Sequence, residues 1–223
     1  MRVLRALAAS CVFAALLTQP LAAQEGRQFK DAWFWGVKGG ATLYSSATTN
    51  SSVAPSIGAD WVITRSQGGL YVAFDQAFLT TQGVFADRDP NNAAFQHLVD
   101  LSNMRRFSLA GMIFPMQSPT LHPYLGAGFS FSQVNTATMQ GGAGSTSRYA
   151  QALDSVQTKR SSFSPMFMGG VQARLPRFSV FAQALASPTQ SDFFLAQNGG
   201  RPFTFSLEGG IRYNIGSSID RTH

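Results

Sequence analysis

The stretch from Phe203 to Gly216 divides into two faces. Phe203, Phe205, Leu207, Gly209, Ile211, Tyr213 and Ile215 fall on one; Thr204, Ser206, Glu208, Gly210, Arg212 and Asn214 fall on the other. A period of two means a β-strand, because successive side chains leave the backbone on opposite sides. One face suits lipid and the other suits water. The strand is also long: globular strands run about 5–6 residues, whereas a tilted strand crossing a bilayer needs roughly 9–11. Length and alternation together point to a strand that spans a membrane.

The N-terminus supplies a route to one. Arg2 and Arg5 flank the start of the apolar run Ala6 to Leu17, and Leu21, Ala22 and Ala23 follow Pro20. That is the basic start, apolar core and small-residue exit of a secretory signal, with cleavage expected after Ala23. An apolar run of about 12 residues is too short for a spanning helix, which takes about 20. Cys11 follows Leu7, Ala8, Ala9 and Ser10 in a weak likeness to a lipoprotein site, but cutting there would leave almost no apolar core. With residues 1–23 removed no cysteine remains, which excludes a disulfide framework and a thiolate metal site.

Without Arg2 and Arg5 the basic count falls from 17 to 15 against 11 acids, a net charge of +4. No block of like charge appears, the densest basic pairs being Arg105-Arg106 and Lys159-Arg160, so nucleic acid is not an expected partner. Charged residues make up 13% of the chain, about half the usual share. Low charge, many Gly and Phe, and no apolar stretch fit for a membrane helix leave the closed barrel, since only helices and closed barrels satisfy the backbone within lipid.

The same alternation recurs along the chain and predicts strands over 33–44, 53–63, 70–82, 104–114, 122–134, 162–175, 178–186 and 203–216. The fold class expected is all-β, an eight-stranded antiparallel up-and-down transmembrane barrel. Pro55, Pro165 and Pro188 mark places where pairing could lapse. The connections alternate between longer ones, 45–52, 86–103, 135–160 and 187–201, and shorter ones, 64–69, 115–121 and 176–177. Residues 93–101 within the second long connection could form one or two helical turns. Short periplasmic turns and long external loops are the pattern of outer-membrane barrels. Trp33, Trp35, Trp61 and Tyr213 fall at the predicted periplasmic ends, where amphipathic rings form an interfacial girdle. A water-soluble barrel would have to pack all of the Phe and Trp inside while turning the charges outward.

Residues 35–41 (Trp-Gly-Val-Lys-Gly-Gly-Ala), 122–130 (His-Pro-Tyr-Leu-Gly-Ala-Gly-Phe-Ser) and 207–213 (Leu-Glu-Gly-Gly-Ile-Arg-Tyr) resemble the first, fifth and last strands of small eight-stranded OmpA/OmpX-type outer-membrane barrels of Gram-negative bacteria. In size and strand motifs the chain is also similar to OmpW-like barrels. The resemblance covers about residues 31 to 216. It implies residues 1–23 as signal peptide, 24–30 as a periplasmic N-terminal segment, 31–216 as the barrel and 217–223 as a tail. It further implies export through the inner membrane, insertion by the barrel assembly machinery, outer-membrane lipid as surroundings and a monomeric state. The peptidoglycan-binding domain of full OmpA proteins has no counterpart here, so wall anchoring is not implied. The chain runs past Gly216 to His223, so Tyr213 and Ile215 would have to serve as the aromatic assembly signal.

The inward positions carry four cations, Lys38, Arg106, Arg174 and Arg212, and three anions, Asp60, Asp75 and Glu208. An eight-strand bore is just wide enough for side chains, so these charges need partners. They form either a salt-bridged plug or a narrow polar path, and Glu208 is expected to pair with Arg106 or Arg174. Enzymatic chemistry would need an activated nucleophile with a base in reach. The histidines are His97 in a loop, His122 at a strand start and His223 at the terminus, and only His97 lies on the external side, near Asp87, Asp89, Asp100 and Ser102. The three aspartates lack the ligand spacing of a calcium loop. No cofactor, metal site or enzymatic activity is expected. The expected role is structural or surface-interacting through loops 86–103 and 135–160, with a narrow channel or lateral-gate transporter for small or apolar solutes as the alternative.

Overall fold

The computed structural model describes residues 31–46, 49–87, 95–116, 118–140, 154, 156–188, 193, 195 and 203–217. Eight strands close in sequence order: β1 (Ala32–Ser46), β2 (Thr49–Thr64), β3 (Gly68–Asp87), β4 (Phe95–Ile113), β5 (Leu121–Gln140), β6 (Ser161–Arg174), β7 (Phe178–Pro188) and β8 (Phe203–Ser217). Every neighbouring pair is antiparallel. Closure is made by β1 on β8, with Lys38 opposite Gly210 and Gly40 opposite Glu208. No helix among the described residues is long and apolar enough to cross a membrane.

The alternation read from the sequence sets the two faces. Val37 is 68% exposed, and Ile57, Phe74, Leu125, Phe129 and Leu207 share the outer surface with it, while Asp60, Arg106, Glu208 and Arg212 are buried inside. A water-soluble barrel has the opposite arrangement. The exterior is an apolar surface with no water-compatible explanation of this size, and the molecule is a transmembrane barrel.

Glycine decides how closely the closing ladder packs. A Cβ at Gly40 would run into the Leu207 carbonyl and the Glu208 Cα, and one at Gly210 into the Val37 carbonyl and the Lys38 Cα. Forcing atoms into a filled interior costs about 1–3 kcal/mol. Gly210→Ala is therefore expected to lower the unfolding free energy of the detergent-folded barrel, read from urea titration, by that amount; an unchanged midpoint and slope would show that the ladder can open to admit a methyl group.

The β2–β3, β4–β5 and β6–β7 connections fall at one end; at the other end the β1–β2 connection, expected as a longer loop over 45–52, is only two residues, because the two strands pair up to Ser46 opposite Thr49. Arg65 N donates to Gly68 O at 2.7 Å and Leu175 N to Phe178 O at 2.8 Å, closing the β2–β3 and β6–β7 turns. The long-connection side differs from expectation. The expected 86–103 loop is mostly strand: β3 runs to Asp87 and β4 starts at Phe95, pairing Thr81 with Leu101 and Gly83 with Val99. Of the segment 93–101, expected to form helical turns, the described residues 95–101 are strand, because a long partner strand overrides the local pattern. Likewise β5 extends to Gln140, and a single helical turn occupies 156–159.

A bulge accompanies the extension. The β3–β4 register shifts between Ala77 and Thr80, opposite Asn103, which takes φ 55°. Asparagine tolerates this left-handed conformation better than most residues. Across it the buried positions of β4 change from Arg106 and Met104 to Leu101 and Val99. Pro55 sits beside the last β2–β3 pair, Ser56 opposite Ala77. Pro165 and Pro188 pair on their other sides with Phe129 and Phe203, but the β6–β7 ladder ends at Phe167 opposite Ala186, short of both prolines, so pairing between these two strands lapses there as expected. The proposed signal 1–23, segment 24–30, Cys11, Asp89, Gly141 to Gly144 and the tail from residue 218 lie outside the described residues.

Candidate functional site: a layered lumen

Three layers fill the interior. At the turn end Phe34, Val62, Met112, Phe114 and Tyr124 belong to one apolar cluster. At the loop end Tyr44, Leu79, Leu101, Met104 and Val134 belong to a second, which also takes in Val156, Phe193 and Leu195 from the long connections. Between them lies the charged layer.

That layer is built from strand centres. Lys38 on β1 reaches Glu208 Oε2 on β8 and Asp75 Oδ1 on β3, both at 2.7 Å. Arg106 on β4 contacts the same two carboxylates, Glu208 Oε1 at 2.5 Å and Asp75 Oδ2 at 3.2 Å. Each cation thus meets both anions, and the quartet is neutral. Lys38 also donates to the Tyr71 hydroxyl at 2.9 Å, and Arg106 Nη1 to Ser206 Oγ at 2.8 Å. Ser206 in turn meets Thr42 Oγ1 at 3.0 Å.

A second neutral pair lies toward the turns. Arg212 Nη2 meets Asp60 Oδ2 at 2.8 Å, with Nε at 3.2 Å from both oxygens. The guanidinium is completed by Gln172 Oε1 at 2.8 Å and stacks over Phe181 at 3.7 Å from the ring centroid. A planar cation suits this setting, presenting donors at its edge and a face to the aromatic ring.

Gln183 joins the two groups. Its Nε2 donates to Tyr71 OH at 3.0 Å and Glu208 Oε2 at 2.9 Å, while its Oε1 accepts from Tyr124 OH at 2.8 Å and Arg212 Nη2 at 3.3 Å. Both donors and both acceptor positions of the amide are used. Sequence reading missed Gln183, Tyr71, Tyr124 and Gln172 because it followed formal charge. Their inward parity, with a polar tip on a long side chain, was the available signal.

Of the seven charges singled out in the sequence, Lys38, Asp60, Asp75, Arg106, Glu208 and Arg212 come together in these two groups. Arg174 does not belong to the central layer. It is the last residue of β6, half-buried at the turn end, where its backbone N–H donates to Thr120 O at 2.7 Å. Glu208 takes Lys38 as its second cation, in place of the alternative Arg174. Closure explains this: β1 and β8 are neighbours only once the barrel is complete.

Trp33, Trp35, Trp61 and Tyr213 sit on the outer face at the turn end. Trp61 lies edge-on to Trp33 at 5.3 Å and stacks on Trp35 at 6.0 Å, and Tyr213 meets Phe178 at 5.3 Å. His122 is buried at the start of β5. The His97 side chain and His223 lie outside what the structure describes. Among the described residues no grouping of three or more His, Cys, Asp or Glu could hold a metal ion. Every carboxylate of the central layer is already engaged by a cation, an arrangement suited to closing a bore.

No protein-family model matches the chain, and no curated protein does. Solved structures of similar outline include Neisserial surface protein A, 13% identical over 81% of this chain and 96% of that one, TM-score 0.49. OprG from Pseudomonas aeruginosa is 10% identical over 87% and 100%, TM-score 0.49. Ail, the attachment invasion locus protein of Yersinia pestis, is 7% identical over 83% and 99%, TM-score 0.46. At such identities and scores the likeness is one of general outline, and the membrane reading rests on the side-chain distribution described above.

Proposed function

We propose that this protein is a non-enzymatic outer-membrane barrel with a permanently plugged lumen, acting as a scaffold that presents its loop-end surface to external partners. The observation that carries the reading is the ionic quartet of Lys38, Asp75, Arg106 and Glu208, buried and mutually paired across four strands. A bore of this size is filled by such side chains, and conduction would require pulling charges out of partnership. Binding on rigid scaffolds resides in their connections, so the segments following β3, β5 and β7 are the contact surfaces.

A second reading, passage of small or apolar solutes through the wall, is favoured by one feature. The β2–β3 ladder ends at Ser56 opposite Ala77, although β2 continues to Thr49 and β3 to Asp87. The seam lies beside Pro55 and is backed by the apolar Ala54, Ala77 and Leu79. Planar-bilayer recording together with liposome swelling separates the readings. A plugged scaffold is silent and admits no solute. Steady openings altered by Arg106→Ala would overturn the plug, and solute entry without ion current would establish the lateral route.

A further inference from the structure

We propose that the outer wall around Arg105 holds the phosphate of an anionic lipid headgroup in the leaflet on the loop side. Arg105 and Arg106 are neighbours in the chain with opposite directions. Arg106 is buried and paired inside the bore, whereas Arg105 is exposed on the lipid-facing surface. On its turn-end side lies a row of rings: Phe74 stands opposite Phe107, and Phe107 opposite Phe131, each close to half exposed. Two residues nearer the loops the same three strands are polar, with Gln76 opposite Arg105 and Arg105 opposite Gln133.

The polar residues are joined across the strands. Arg105 Nε donates to Gln76 Oε1 at 3.2 Å, and Asn135 Nδ2 on β5 donates to the same oxygen at 3.5 Å. The guanidinium is thus anchored through Nε, and among the described residues it has no carboxylate partner. Asp100, further along β4 beyond the bulge, accepts from Gln82 Nε2 at 3.1 Å. One outward position past Gln76, Phe78 is again exposed, so aromatic rings border the polar group on both sides.

A cation on a lipid-facing wall is costly at mid-membrane and tolerated near the interface. From Ile113 at the turn end to Arg105 the rise is about 20 Å along a tilted strand, close to the height of an outer-membrane apolar band. Arginine can lay its stem on apolar surface while its head reaches the interface. Two Nη groups on a planar fork match two oxygens of a phosphate. A lipid fits this wall better than a free ion, because the flanking rings offer contact to its apolar part. The site lies outside the bore and is independent of whether the lumen is plugged.

Lipid titration of the detergent-folded barrel tests this, with bound phosphatidic acid or phosphatidylcholine counted by native mass spectrometry. The parent is expected to hold phosphatidic acid more tightly than phosphatidylcholine. Arg105→Gln is expected to weaken phosphatidic acid at least about tenfold, through loss of the charge-assisted bonds. Arg105→Lys should weaken it less, because a point charge remains. Heat-modifiable gel mobility verifies that each barrel is folded; should Arg105→Gln not fold, Arg105→Lys and Gln76→Ala carry the measurement, each with a smaller fall expected. Unchanged affinity in the folded variants would overturn the site. An equal fall with Arg177→Gln, an exposed cation at the turn end, would overturn it too, by showing general charge attraction. Displacement of the lipid by inorganic phosphate at equal concentration would overturn the lipid as occupant.

Discussion

Replacing Glu208 with leucine is expected to destabilise the barrel by about 3–5 kcal/mol, the cost of removing one partner from a buried ionic group. Glu208 is 5% exposed and is the carboxylate that Lys38, Arg106 and Gln183 all address. Without it, Asp75 alone would face two buried cations. The effect comes from the stranded charge more than from the lost contacts. Lys38→Met in the same chain should therefore recover a large part of the loss, because Arg106 and Asp75 remain as a neutral pair at 3.2 Å. Urea titration of the folded barrel, followed by tryptophan fluorescence, measures both variants. If the double variant were no more stable than Glu208→Leu, charge balance would not be what organises the layer.

Arg212 is expected to give the other large effect. It is 0% exposed, and its guanidinium holds Asp60 and Gln172 while stacking on Phe181. Arg212→Leu leaves Asp60 buried without its cation, again a loss of about 3–5 kcal/mol. Arg212→Lys keeps the charge but replaces the flat, multi-donor guanidinium by a point charge, and should fall between the two. Pairing Arg212→Leu with Asp60→Leu should restore stability toward the parent. A lysine variant as stable as the parent would show that charge alone suffices and that the stacking geometry contributes nothing.

The contrast between β8 and β4 shows what could be read in advance. β8 alternates without a break from Phe203 to Ile215, and its inward set Ser206, Glu208, Arg212 is buried in the structure as its parity requires. Residues 93–101, Ala-Ala-Phe-Gln-His-Leu-Val-Asp-Leu, read equally well as helix or strand. Pairing with β3 on one side and β5 on the other decides for strand from Phe95 onward. Asn103 then reverses the parity, an effect no periodic template contains. Phe193 and Leu195 were hidden for a related reason. They stand in a run of four apolar residues, 193–196, inside an otherwise polar connection, too short to show a period, and only the mouth of the closed barrel makes Phe193 and Leu195 core.

The site divides in the same way. Strand parity, a local property of the backbone, assigned Lys38, Asp60, Asp75, Arg106, Glu208 and Arg212 to the interior from the residues alone. It could not assign partners, because the contacts join β1 to β3 and β8, β4 to β8, and β2 to β8, elements far apart in sequence. Arg174 shows the limit: parity counted it with the inward set, and its place at the end of β6 puts it at the rim. The sequence by itself determined the central stretches of the eight strands, their two faces and the six charges of the interior layer. Closure into a barrel decided which charges meet, because side-chain direction depends on the residue's own backbone, whereas side-chain partnership depends on every strand that shares the bore.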